Sequence, residues 1–232
     1  MKTEVRNVPS LPTERPRYTI GQAAQYLRIS NTTLRSWVVG RPYPAGGGSR
    51  YSQPLIARPD EHDLRLSFNN LVEAHVLRAL RTRHKVPMSA VRSALDFAEN
   101  QFHIKRLLLS DELRAAAGAV FLERLDELID LGRAGQIVIK ELLQAHLQRI
   151  DRNIEGLPVR LFPVSIRGLD GPKVVVIDPQ VSFGRPYISG KGVRTSTIVE
   201  RLDAGESRED VARDYGLEAY EIDEAILYER AA

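Results

Sequence analysis

The chain contains no cysteine. Disulfides and thiolate metal sites are therefore excluded, and a reducing compartment fits, so the expected location is the cytoplasm. No window is apolar for the roughly 18 residues that a helical membrane span needs, and no charged start precedes an apolar run as in a secretory leader. The histidines are few: His62, His75, His84, His103 and His146. Their spacing is not that of metal ligands, and no acids cluster with them. His75 lies among apolar helical neighbours, where a satisfied, partly buried imidazole is the commoner case. No nucleophile–base pair stands out. "GRPYISGKGVRTS" invites a phosphate-loop reading and fails it: the position six before Lys191 is Arg185, and Gly192 stands where Ser or Thr is needed. The sequence therefore predicts no enzyme, no cofactor and no metal site.

What is present is an uneven charge. The 232 residues, 43% of them hydrophobic, suffice for two small domains or one larger one, and the net charge is only +3. Residues 1–110 hold 17 Lys/Arg against 8 Asp/Glu, whereas residues 111–232 hold 16 against 22. A basic half joined to an acidic half points to two different partners, one of them nucleic acid.

The pattern predicts a mainly α fold with small β elements: an N-terminal winged helix-turn-helix, central helices with a β-hairpin, and a C-terminal tri-helical domain resembling a helix-turn-helix. Residues 1–17, with Pro9, Pro12 and Pro16, read as a flexible arm. In 18–40, Thr19 can cap a first helix, and Ala23, Ala24, Leu27, Ile29, Leu34, Trp37 and Val38 supply an apolar face at helical spacing, with Trp37 in the core. The Gly- and Pro-rich stretch 41–67 reads as a wing with its tip near Gly46–Gly48. Ser67 opens a long helix burying Leu71, Val72, Val76, Leu77 and Leu80; Pro87 interrupts it, and another runs from Ser89 to Asn100. This domain is placed at 18–105. The linking segment 106–172 carries helices over 111–131, which ends in an apolar stripe including Leu128 and Leu131, and over 137–151. Residues 158–179 read as two strands around a turn at Asp170–Pro172. The C-terminal domain, 173–232, has helices near 195–204, 208–215 and 218–229.

The second N-terminal helix, about 31–39, has no Asp or Glu. Asn31, Thr32, Thr33, Arg35 and Ser36 are hydrogen-bonding side chains suited to base edges and phosphates, and Arg41, Arg50 and Tyr51 flank the wing tip. "YTIGQAAQYLRISNTTLRSWVVG", "GSRYS" and "LSFNNLVEAHVLRALRTRHKVPMSAVRSAL" together resemble the reader domain of MerR-type regulators, over roughly 18–96. The resemblance implies that Arg35, Arg50 and Tyr51 contact phosphate and that 31–36 enter the major groove. Ser36 departs from it, standing where an aromatic is usual, and the wing is longer. The resemblance also implies pairing through a helix like 111–131, hence a homodimer.

The C-terminal domain repeats the helix-turn-helix layout in "SREDVARDYGLEAYEIDEAIL" but reverses its charge. Glu218, Glu221, Asp223, Glu224 and Glu229 fill the last helix, which meets no basic residue before Arg230, so phosphate would repel it. Residues 176–229 resemble a small domain of unknown function found in antitoxin-like proteins, through Asp178, Pro179, Gly184, Pro186, Ile188, Gly190, Arg194, Gly205, Ser207, Asp214, Tyr215, Ala225 and Tyr228. One extra residue enlarges the turn at Lys191–Val193. A MerR-like reader followed by this domain is similar to the VapB-like antitoxins. That resemblance implies operator DNA and a PIN-domain ribonuclease toxin as partners. The candidate partner-binding residues are Gly184, Pro186, Gly190, Arg194, Glu221 and Glu224: Arg194, in a Gly-bounded turn, can plug a cluster of carboxylates, and the acidic final helix can dock a basic surface. The alternatives are a MerR-like regulator sensing a small ligand, which a polar pocket in 105–170 would favour, and an accessory protein coupling DNA to another assembly.

Overall fold

The computed structural model describes residues 11–82, 86–130 and 132–230. Helix α1 (Ile20–Leu27) opens on a capping box: the Gln22 amide donates to Thr19 Oγ1 and the Thr19 amide to Gln22 Oε1. Arg28 adopts a left-handed conformation to end it, and Ser30 caps α2 (Asn31–Val38). Ala23 and Ala24 let α1 approach closely, and Leu27, Leu34, Trp37 and Val38 bury between the two helices and the long helices α3 (Phe68–Thr82) and α4 (Met88–Phe102). Ser67 and Asn70 exchange side-chain and amide hydrogen bonds at the start of α3. Strands β1 (Arg41–Ala45) and β2 (Gly48–Ser52) form the wing.

Short 3-10 turns at Leu107–Leu109 and Asp111–Arg114 lead to α5 (Ala116–Ile129), which packs on α4, and α6 (Gly132–Leu147), which packs on α3. The arrangement is mainly helical with small antiparallel strand pairs, as the pattern predicts, but three local expectations differ. The helix expected over 137–151 stops at Leu147, and Ile150–Arg152 is a strand, β3, paired with β4 (Pro158–Leu161). The expected 158–179 hairpin is reduced to one antiparallel bridge, Leu161 to Ile177, while β5 (Val175–Val176) pairs forward with β6 (Tyr187–Ile188). Residues 11–17, read as part of a flexible arm, are tied down: the Asn69 amide donates to Thr13 O, and Glu14 pairs with Arg106 at 2.8 Å. The remaining helices are α7 (Thr195–Asp203), α8 (Arg208–Tyr215) and α9 (Ala219–Arg230), around Ile188, Ile198, Val211, Leu217, Ile222 and Ala225. Among the described residues no helix is long and apolar enough to cross a membrane.

The early end of α6 has a physical cause at Arg149. This residue is buried, and all five of its N–H groups donate to carbonyls: Nε to Phe162 (2.9 Å), Nη1 to Leu169 (2.9 Å) and Gly171 (3.0 Å), and Nη2 to Pro163 (3.0 Å) and Pro172 (3.3 Å). A chain still helical at 149 could not present this guanidinium to the 162–172 loop. Replacing Arg149 by Met is expected to orphan these acceptors and cost about 3 kcal/mol or more, read by urea unfolding.

Burial also sets a pH response. His75 donates from Nε2 to His146 O (3.0 Å), and His146 from Nδ1 to Leu142 O (2.9 Å). Burial holds the His75 imidazole well below its ordinary range and pushes His146 down to about 4, with Arg78 and Arg149 adding repulsion. The unfolded chain thus binds more protons between pH 6.5 and 4. This contribution to stability is complete above pH 6.5 and is lost as pH falls toward 4. A His146→Phe variant should show a smaller loss of urea midpoint between pH 7 and 5 than the wild type; an equal loss removes His146 from the response.

Candidate nucleic-acid interface and partner-facing surface

The N-terminal surface is built on α2 and the wing. Asn31, Thr32 and Arg35 are exposed along α2, whereas Thr33 and Ser36 are half-buried and spend their hydroxyls locally. Ser30 Oγ donates to Thr33 Oγ1 (2.7 Å), and Ser36 Oγ donates back to Thr33 O (2.7 Å). In the wing, Gly46–Gly47 form the two-residue turn with both φ positive, which fixes the register. Tyr43 faces Arg50 and Arg41 faces Ser52, so Arg41, Tyr43 and Arg50 share one side. Tyr51 lies on the other, and its hydroxyl donates to Val39 O at 2.7 Å. Tyr51, expected to contact phosphate, has thus committed its proton to holding the wing against the end of α2. Tyr43, which the sequence reading passed over, occupies the arginine side; the turn length alone would have located it.

Arg35, Arg41 and Arg50 have no ion-pair partner among the described residues. Neighbouring cations are engaged: Arg65 pairs with Asp63 (2.6 Å), while Arg92 donates to Pro54 O (3.1 Å) and Arg78 to Leu27 O (2.8 Å). The unpaired guanidinium groups therefore sit on the reading helix and the wing, where phosphate contacts would release counterions.

The C-terminal surface differs from its expectation. The acids of α9 are engaged from outside the helix. Glu224 is 6% exposed and pairs with Arg167 (2.8 Å), Asp223 pairs with Arg208 (2.6 Å), and Glu229 accepts the Thr195 hydroxyl. Glu221, also 6% exposed, accepts the Glu218 amide (2.8 Å) at the helix start. Glu221 and Glu224 are thus not the outward acidic face proposed from the sequence: Glu221 is buried on a backbone amide and Glu224 against the distant Arg167.

Gly184 and Pro186 are buried too. Pro186 O accepts the Thr195 amide, and Gly184 (φ 73°) sits so close to the reader domain that a Cβ would lie 2.3 Å from Tyr18 Oη. Further bonds run the same way: Tyr228 Oη donates to Tyr26 O (3.0 Å), Arg28 Nη2 to Leu227 O (3.0 Å) and Arg17 Nη1 to Pro179 O (2.6 Å). The Arg28 guanidinium also lies 5.6 Å from the centre of the Tyr228 ring. Burial raises the Tyr228 phenol well above its ordinary range and lowers Arg28. Gly184, Pro179 and the end of α9 thus meet the chain's own segment 17–28, in and around α1, while Pro186 is held by Thr195.

Gly190 and Arg194 remain accessible, beside a residue the sequence did not single out. Phe183 is 79% exposed, and Ser182, Phe183 and Gly184 are all left-handed, with φ of 49°, 56° and 73°. For the two non-glycine residues this costs roughly 1–2 kcal/mol each. The Arg194 guanidinium stands 5.8 Å from the centre of the Phe183 ring.

Residues 16–95 match the family described as "Putative DNA-binding HTH domain", and residues 175–228 match "Protein of unknown function (DUF433)". Over 229 residues the chain is 32% identical to the Mycobacterium tuberculosis protein named "Putative antitoxin VapB45", covering 91% of this chain and 92% of that one. The chain belongs to the VapB45 family. A second relative from the same organism, "Uncharacterized protein Rv2308", is 26% identical over 230 residues, covering 93% and 90%. The crystal structure of Rv2018 from Mycobacterium tuberculosis superposes with a TM-score of 0.70 at 28% identity, over 94% of this chain and all of that one. The likeness to these proteins thus extends through reader, linking segment and C-terminal module.

Gly40 decides how this family member presents its wing. Its φ is 90°, and a Cβ there would lie 2.2 Å from Ser52 O and 2.9 Å from the Tyr51 ring. Gly40→Ala is expected to cost about 1–3 kcal/mol by chemical denaturation and to displace the wing. Tyr51→Phe should loosen the wing with a smaller stability loss.

Proposed function

We propose that this protein is a DNA-binding antitoxin that represses its own operon and neutralises a cognate ribonuclease toxin of the PIN type. What supports the reading is the reader surface, with Arg35, Arg41 and Arg50, which have no ion-pair partner among the described residues, beside Asn31 and Thr32, in a chain similar over 91% of its length to a protein named as an antitoxin. The resemblance to MerR-type readers agrees with the wing. A homodimer would supply two half-sites. Leu128 and Phe97 are both exposed, and Arg124, one helical turn before Leu128, lies 5.2 Å from the Phe97 ring centre; this apolar strip on α4 and α5 is the surface offered to a second copy.

One observation favours the sensor alternative. An open cleft of about 850 Å³ beside β3 and β4 is lined by Arg114, Arg152, Arg160 and Lys173. These cations are already engaged, however: Arg114 with Leu147 O, Arg152 with Leu109 and Gly156 carbonyls, Arg160 with Asp178, and Lys173 with Gln148 O. The antitoxin reading is therefore the better supported.

The test is promoter binding by the full chain across a salt titration. Affinity should fall steeply with salt, and Arg35→Ala should weaken binding by about 1–3 kcal/mol. Wild-type and Arg35→Ala binding that coincide at every salt concentration would remove Arg35 from the interface. Co-expression with the neighbouring toxin gene should yield a stable complex, and Leu128→Asp should shift the sedimentation of the free protein toward monomer.

A further inference from the structure

Apart from Lys173, which bonds Gln148 O, the cations of the C-terminal module fall into two groups. Arg201, Arg208, Arg213 and Arg230 each hold a carboxylate at 3.0 Å or less. Arg185, Lys191 and Arg194 hold none among the described residues; Lys191 donates to Gly216 O, and Arg194 stacks on Phe183. These three surround one loop. Ser182 Oγ donates to Gly192 O (3.1 Å), which fastens the Phe183 turn to the Lys191 turn, and Tyr187 bridges to Arg194. The nearby Glu229 is occupied by the Thr195 hydroxyl, and Asp178 by Arg160 and the Gln180 amide.

The loop is held from behind. Gly184 abuts Tyr18 and Arg17, and Arg17 bonds Pro179 O. A left-handed pair of non-glycine residues persists only where its surroundings impose it. Here the imposed conformation turns an aromatic ring into solvent instead of the adjacent core. Unpaired cations around a rigid, exposed aromatic are the composition of an interface anchor. Phosphate would attract the cations but would leave the ring without an apolar contact, whereas a protein surface can take both.

We propose that the Phe183 loop is the docking knob of this chain, its ring entering an apolar socket on an acidic protein surface whose carboxylates meet Arg185, Lys191 and Arg194. This rests on the antitoxin reading and deepens it: the surface belongs to the toxin, and it is a basic knob of the C-terminal module, not the acidic helix α9, that engages it.

The test uses the full chain co-expressed with the product of the neighbouring toxin gene, with affinity measured by calorimetry. Phe183→Gly removes the ring while suiting the left-handed backbone, so thermal stability should hold or rise while affinity falls roughly thirtyfold. Arg194→Gln should weaken the complex without unfolding α7, since the Arg194 side chain makes no capping bond. Wild-type affinity in both variants would overturn the proposal and leave the antitoxin reading standing. Failure of the wild type to bind the toxin would overturn both. If the variants instead lose promoter DNA and keep the toxin, the loop is a DNA contact and the proposal falls.

Discussion

The architecture turns on one guanidinium. Arg149 lies where the chain leaves the helical body for the C-terminal module, in a stretch whose loop contains Pro163 and Pro172 and no regular ladder to receive its carbonyls. A peptide chain cannot bury unpaired acceptors cheaply, and a lysine would have three donors where five are used. By collecting the carbonyls of Phe162, Pro163, Leu169, Gly171 and Pro172, Arg149 folds the loop onto the end of α6 and fixes where the strands after it emerge. The same loop carries Arg167 to Glu224, so the placement of α9 descends from the same interaction.

That dependence explains how charge is distributed. The reader domain meets solvent with Arg35, Arg41 and Arg50, which hold no carboxylate among the described residues, while in the acid-rich module Asp203, Asp214, Asp223 and Glu224 are closed on by arginines and cations are presented at one loop. Net charge along the chain therefore misleads about surface charge. An acid in sequence is not an acid at an interface once a cation 57 residues away has closed on it, as Arg167 does with Glu224.

What was legible in the sequence is what local chemistry controls. Thr19 with Gln22 and Ser207 with Asp210 mark helix starts because the caps are made within four residues. The apolar spacing of Leu71, Val72, Val76 and Leu77 is buried as read. What escaped depends on pairing across the chain. The strand at Ile150–Arg152, two of its three residues charged, carries no strand pattern and passes for the last turn of a helix until Arg149 is seen to be committed elsewhere. The burial of Gly184 against Tyr18 joins segments over 160 residues apart, and a motif read for a foreign partner turned out to have a domestic one. Phe183 carries no sequence signal of its conformation, since a left-handed turn with one glycine in three is imposed by its neighbours and not by its own residues. In the candidate DNA interface the residue types on α2 were readable; the side of the wing each residue takes was readable only through the turn length.

The left-handed residue between α1 and α2 does two jobs at once. Arg28 ends α1 and so sets the angle at which α2 is presented, and its side chain reaches across to Leu227 and Tyr228 near the other end of the chain. The hinge of the reader is thereby a keystone shared by both modules. Free-energy linkage then runs in both directions: any ligand that binds better when α9 is seated must tighten the presentation of α2, and DNA that favours that presentation must favour the seated α9 by the same factor.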